Sequence, residues 1–298
     1  MKVGSNIFKI LLTLALAFFS CSKITPQFPE PEAETFGMDS WIEYLCSEEC
    51  EGRLSGTAGN LKAYNYLVSE LKKMGHSPET QTFEVEGKTL RNILVKVPGS
   101  IDSTIAIGAH YDGQWESKFR KHYPAANDNA SGTVALLKII QDLKSGTFSS
   151  KYSFLFCFWD GEENNFGGPL KGSKYFVKNY PDIKKVKYYT NLDGVAHKHE
   201  TGFDMFYYGD VMEKKVVPHV QETSGLKFAM IVKKDKGEGA SDYVPFAKLN
   251  IPIFAVKSDE KGGCLWTHHT IYDDPAAISY STMKSIIDVV EDVVMFFN

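Results

Sequence analysis

"YSFLFCFWDGEENN", residues 152–165, decides how this chain is read. Its first eight residues are an unbroken apolar run of strand length. A run that is apolar on both alternating faces predicts a strand buried on both sides. The run then meets three acids, Asp160, Glu162 and Glu163. Adjacent glutamates at the mouth of a buried strand are costly unless something cationic compensates them. Cys157, inside the run, reads as an inert core thiol.

Outward from this strand the pattern alternates. "STIAIGAH" (103–110) reads as a buried strand and "ASGTVALLKIIQDL" (130–143) as a helix. A helix is predicted over 172–179 and a strand over 186–192. Strand, helix and strand follow over 204–208, 211–224 and 229–232. Then come a short helix at 242–248, the strand "IPIFAV" (251–256) and a long helix at 278–297. Upstream, a helix is expected over 40–47. A second, capped by Asn60, carries Leu61, Tyr64, Leu67, Leu71 and Met74 at helical spacing. Two strands follow near 80–85 and 92–97. The fold class is α/β: a three-layer αβα arrangement with a central, mostly parallel mixed sheet.

In open α/β sheets, sites form beyond the carboxyl ends of the strands. His110 and Asp112 follow the first buried strand, in "GAHYDG", and Asp128 stands in "ANDNASG" before a helix. Glu162 and Glu163 follow the next strand. Asp193 follows in "NLDG", and His268 and His269 in "HHTIYDD". Singly, each has an ordinary reading: a helix N-cap for Asp128, a turn for Asp193, a solvated face for the glutamates, a satisfied structural group for a histidine. Together on one rim they would repel unless a divalent cation binds. Imidazole and carboxylate without a required thiolate suit zinc. Glu163 then serves as a ligand while Glu162 handles protons.

The ordered set "LCSEECEGRLSGTAGN", "GAHYDG", "AANDNASGT", "FWDGEEN", "NLDG", "SDYVPF" and "HHTIYDD" resembles the exported di-zinc aminopeptidases, zinc exopeptidases whose relatives include the glutaminyl cyclases. The resemblance runs from about residue 40 to the end. It implies a phosphorylase/hydrolase-like fold and two zinc ions. His110 and Asp193 would hold one ion, Asp128 would bridge, and Glu163 and His269 would hold the other. It further implies Glu162 as general base, Asp112 orienting His110, and a cis bond at Asp112–Gly113. The substrates implied are peptides with a free N-terminus. Two segments depart from the family pattern and shape the cleft: the link "NNFGGPLK" (164–171) and the long loop 113–126. Trp115, Tyr243 and Trp266 are candidates for a side-chain pocket. The competing readings are a glutaminyl cyclase and a non-catalytic binding domain on the same fold.

The chain has 298 residues, 43% of them hydrophobic, and a formal charge of -4. That length suffices for a sizeable core. The dispersed basic residues and slightly acidic balance give no nucleic-acid footprint. Lys2 and Lys9 precede "ILLTLALAFF" (10–19), an apolar run too short for a membrane span of about 20 residues. It reads as an export signal, and Ser20-Cys21 as a bacterial lipoprotein cleavage site. The expected organisation is a signal peptide (1–20), a lipidated Cys21 with a tether carrying Pro26, Pro29 and Pro31 (21–37), and one zinc-peptidase domain (38–298). Export to the periplasm or cell surface would permit a Cys46–Cys50 disulfide; two free thiols are the alternative.

Overall fold

The computed structural model describes residues 35–116, 121–163, 167–198, 202–258 and 267–298, all in one compact unit, Ala33–Asn298. The side chains of Trp115, Glu116 and Lys121 lie outside the described set, as do Cys21, Cys264 and Trp266. Strands are β1 (Glu79–Val85), β2 (Lys88–Val97), β3 (Ile101–His110), β4 (Trp115–Glu116), β5 (Lys121–His122) and β6 (Tyr152–Trp159). Then come β7 (Val186–Asn191), β8 (Phe203–Tyr208), β9 (Phe228–Lys233) and β10 (Ile253–Ser258). Helices are α1 (Asp39–Leu45), α2 (Ala58–Lys73), α3 (Gly132–Ser145), α4 (Lys171–Asn179), α5 (Val217–Thr223), α6 (Tyr243–Lys248) and α7 (Tyr280–Phe296).

Eight strands form one sheet in the order β1-β2-β6-β3-β7-β10-β8-β9. The central four, β6, β3, β7 and β10, are mutually parallel. Antiparallel pairings flank them at β2–β6 and β10–β8. β6 shows why the sheet is sandwiched. Phe154, Phe156 and Phe158 pack in one apolar layer with α2, α3 and α7, while Leu155, Cys157 and Trp159 pack in the other with α4 and α6. Period-two alternation thus feeds two cores. Pairing of His110 with Trp159, and of Gly108 and Ala255 with Asn191, brings the ends of the four parallel strands level. Gly108 is required there: a Cβ would lie 2.5 Å from Tyr189 Oη and 2.6 Å from Trp159 Nε1.

One local expectation is corrected, one is refined and one open alternative is decided. Thr57, not Asn60, caps α2: its hydroxyl accepts from the Asn60 N–H at 3.3 Å. The helix expected over 211–224 is present: the chain is helical from Asp210 to Thr223, with a π-type turn over Met212–Val216 running directly into α5, where Pro218 in the first turn has no N–H to bond back. Cys46 and Cys50 are free thiols; Cys46 ends α1 while Cys50 belongs to the separate turn Glu48–Arg53. Among the described residues, no helix is long and apolar enough to cross a membrane.

Candidate metal and catalytic centre

All six acids and imidazoles expected at the centre, together with Asp112, meet at the carboxyl edge of the parallel strands. His110 closes β3 and is 1% exposed. Its Nε2 lies 3.3 Å from Asp128 Oδ1, 3.6 Å from Asp193 Oδ1 and 4.0 Å from Glu162 Oε2. The other oxygen of Asp128 lies 3.0 Å from His268 Nδ1 and 3.2 Å from His269 Nε2. Glu163 Oε2 is 3.3 Å from His269 Nε2. Two compact groups of donor atoms result, His110–Asp128–Asp193 and Asp128–His268–His269, and Asp128 belongs to both. His268, which sequence reasoning left as a neighbour, stacks on His269 at 3.7 Å and joins the second group, with Glu163 bordering it.

Buried carboxylates outside the donor groups fix the turns that carry the donors. Asp112 accepts from the backbone N–H groups of Glu162 (3.0 Å) and Glu163 (3.2 Å) and from Ser55 Oγ (3.1 Å). Its expected grip on His110 is made chiefly by its main-chain oxygen, 3.2 Å from Nδ1, with the carboxylate at 3.6 Å. Asp273 accepts from the N–H groups of Asn127 (2.7 Å) and Asp128 (3.0 Å). Ser241 Oγ donates to Asp193 at 2.6 Å, and Gln114 Nε2 to Glu163 at 2.7 Å. Asp160 takes Ser55 Oγ, Asn60 Nδ2 and Arg91 N–H. Of these supports, Asp160 was visible in the sequence as the first acid of "WDGEE". Gln114 gave no signal.

The cis peptide bond expected at Asp112–Gly113 occurs instead at Asp128–Asn129. Gly113 is there for close approach. Its N–H donates to Arg53 O at 3.3 Å, and a Cβ would lie 2.5 Å from Gly52 O.

The electrostatics call for positive charge. Burial disfavours a charged His110, yet Glu162, Asp112, Asp128 and Asp193 outweigh it and hold its pKa well above the imidazole range. Burial also works against ionised Asp128, but His110, His268 and His269 keep it well below the carboxylate range. Glu162 is pushed well up, first by burial and then by Asp242, Asp193 and Glu163 against His110. His110 Nε2 and Glu163 Oε1 are buried without a hydrogen-bond partner. Orphaned donor atoms of N and O type, gathered around a shared carboxylate, fit divalent metal ions. The centre opens into a cavity of about 690 Å³ that reaches Glu162, Glu163, Asp193, Tyr243 and both histidines.

An α/β sheet with an acid–imidazole centre at its carboxyl edge defines a metallohydrolase-like class. Residues 92–294 match the model of "Peptidase family M28", and the chain belongs to that family. It is 27% identical over 258 residues to leupeptin-inactivating enzyme 1 of Streptomyces exfoliatus, covering 84% of this chain and 54% of the relative. The chain thus spans about half the length of that curated relative. Its fold matches a Porphyromonas gingivalis glutaminyl cyclase (TM-score 0.72, 21% identity, 89% and 99% of the two chains). It also matches BSAP, a zinc aminopeptidase from Bacillus subtilis (TM-score 0.71, 15% identity, 87% and 94%). One fold therefore accommodates both activities, and the site must choose between them.

Proposed function

We propose that the chain is a zinc aminopeptidase that removes the N-terminal residue of peptides. The observation that carries this is the pair of three-donor groups sharing Asp128, with Glu162 lining the same cavity. His110, Asp128 and Asp193 would hold one zinc; Asp128, His269 and Glu163, with His268 alongside, would hold a second. When bound, zinc supplies Lewis acidity toward a carbonyl and lowers the pKa of water. Glu162 accepts the proton of the attacking water and returns one to the leaving amine. Burial, which raises its affinity for that proton, suits it to this exchange. The substrate's α-ammonium is drawn to the carboxylate-lined end of the cavity, which favours action at a free N-terminus. Asp112 and Asp273 position the Glu162–Glu163 and Asp128 turns through their backbone N–H groups.

Glu162→Gln should retain bound zinc and lower turnover of a leucine anilide by about 10² to 10⁴-fold. Near-full activity in that variant sinks the assignment. Weighing the product of a peptide with N-terminal Gln separates the rival: loss of ammonia indicates cyclisation, loss of a residue indicates hydrolysis. The N-terminal segment supports a further reading, export followed by lipid anchoring at Cys21, which places the active domain on a membrane surface.

A further inference from the structure

The cavity has two unlike ends. One is the acid–imidazole centre. The other is built by the sheet's edge, where Phe206 of β8, Met230 and Val232 of β9, and Ala255 of β10 form an apolar wall. β8 lies between β10 and β9, so Phe206 is flanked by a strand on each side. Each of those strands leads to a lysine that lines the cavity and is partly buried. Lys234 Nζ sits 4.7 Å and Lys257 Nζ 5.9 Å from the Phe206 ring centre. Lys257 lines the same cavity as Asp193 and Tyr243. Its ladder partner is the buried Asp204. Lys234 has no such neighbour: among the described residues its ammonium makes no ion pair, and the ring of Phe206 is its contact.

Two cations above an apolar wall, in a cavity whose opposite end is anionic, match a ligand that is cationic at one end and anionic at the other. We propose that Lys234 and Lys257 form a subsite for a substrate carboxylate, which rests on the aminopeptidase reading above. The ammonium end of the peptide lies at the acids and the carboxylate at the lysines. That carboxylate has two possible sources: the side chain of an N-terminal Glu, or the C-terminus of a very short peptide.

The test compares kcat/KM in two arms, with zinc-loaded full-length protein. The first arm sets Glu anilide against its neutral isostere, Gln anilide. The second sets Leu-Leu against Leu-Leu amide. A partly screened ion pair corresponds to about a tenfold preference for the charged member. That preference is expected in at least one arm, shrinking as salt is raised. Lys234→Met should bring the ratio close to one, and Lys234→Arg should retain it. The arm that shows the preference identifies the source. Ratios near one in both arms, or a ratio unmoved in Lys234→Met and in the Lys234→Met/Lys257→Met double variant, overturn the subsite alone. Because the ratio and its salt dependence are read in the unmodified protein, a variant that fails to fold leaves the test intact. No hydrolysis of any substrate, leucine anilide included, overturns the peptidase reading and the subsite with it.

Discussion

Arg53 is fully buried, and its guanidinium is matched by carbonyl oxygens. Nε donates to Tyr111 O at 2.9 Å. Nη1 donates to Leu45 O at 2.6 Å and Pro124 O at 2.8 Å, and Nη2 to Ala125 O at 2.7 Å. These four bonds tie the end of α1 to the chain leaving β3 and to the segment entering the Asp128 turn. Arg53→Met strips three carbonyls, those of Leu45, Tyr111 and Pro124, of this donor at once, while Ala125 O keeps the Ala130 N–H at 3.0 Å. At about 1–3 kcal/mol for each buried unsatisfied group, the gross loss is roughly 3–9 kcal/mol. Relief of the guanidinium's own desolvation offsets several kcal/mol of it. The expected net destabilisation is about 3–5 kcal/mol, a large part of the 5–15 typical of a domain. Arg53→Lys keeps the charge but loses the planar fork, and should fall between the two. Urea unfolding followed by circular dichroism, with chelator present throughout so that metal linkage does not enter, reads the shift in midpoint. A change below about 1 kcal/mol for Arg53→Met would falsify the claim that these carbonyls depend on it. Because Pro124 and Ala125 lead directly into the turn bearing Asp128, the same variant should weaken zinc binding about tenfold.

Glu291, buried on α7, is pushed up to about 8 by burial, then by Asp142, with Asp288 adding and Lys284 and Lys138 opposing. Its folded pKa lies above its unfolded value, so its contribution to stability is fully present below about pH 4.5 and is lost as pH rises towards 8. Glu291→Gln should flatten that decline and raise stability at pH 8 by about 1–3 kcal/mol, after discounting for solvent screening; thermal melts at pH 5 and pH 8 would show it, and an unchanged slope counts against it. Cys21→Ala should release the protein from the membrane fraction into the soluble exported fraction; a variant that stays membrane-bound argues against a lipid anchor at that residue.

The strands of the parallel centre were legible because burial on both faces makes them uniformly apolar, and β6 appears where the sequence placed it, Tyr152–Trp159. The donor residues were legible because charge directly after such a run has few structural explanations. What was not legible depends on contacts distant in sequence. Ser55 reaches Asp160 across 105 positions, and Asp273 reaches Asn127 across 146. β8 appears where the sequence placed a strand, over 204–208, but its antiparallel pairing with β10 was not legible because an apolar run carries no mark of direction. The π-type stretch before α5 was readable in principle from Pro218, whose missing N–H the helical periodicity of its neighbours concealed. His268 was set aside by motif spacing, which fixes His269 but says nothing of a neighbour folding back onto Asp128.

The centre separates its carboxylates into two electrostatic kinds. Asp112 and Asp273 are each answered by a pair of backbone N–H groups from consecutive residues, the residues of the turns that carry Glu162–Glu163 and Asp128. Peptide dipoles lose no side-chain entropy on ordering, so these two acids act as rigid clamps. Even so, burial and the nearby Asp128 push Asp273 up to about 6. Asp128, Asp193 and Glu163 have no such pair in full. They retain oxygens aimed at one another and at imidazoles across gaps of 3.0 to 3.6 Å. Negative charge left uncompensated by dipoles is what a bound cation neutralises. The adjacent acids Glu162 and Glu163 are tolerable for the same reason. Asp112 clamps the backbone of both, so one side chain borders the donor groups while the other lines the cavity, where a reacting proton must pass.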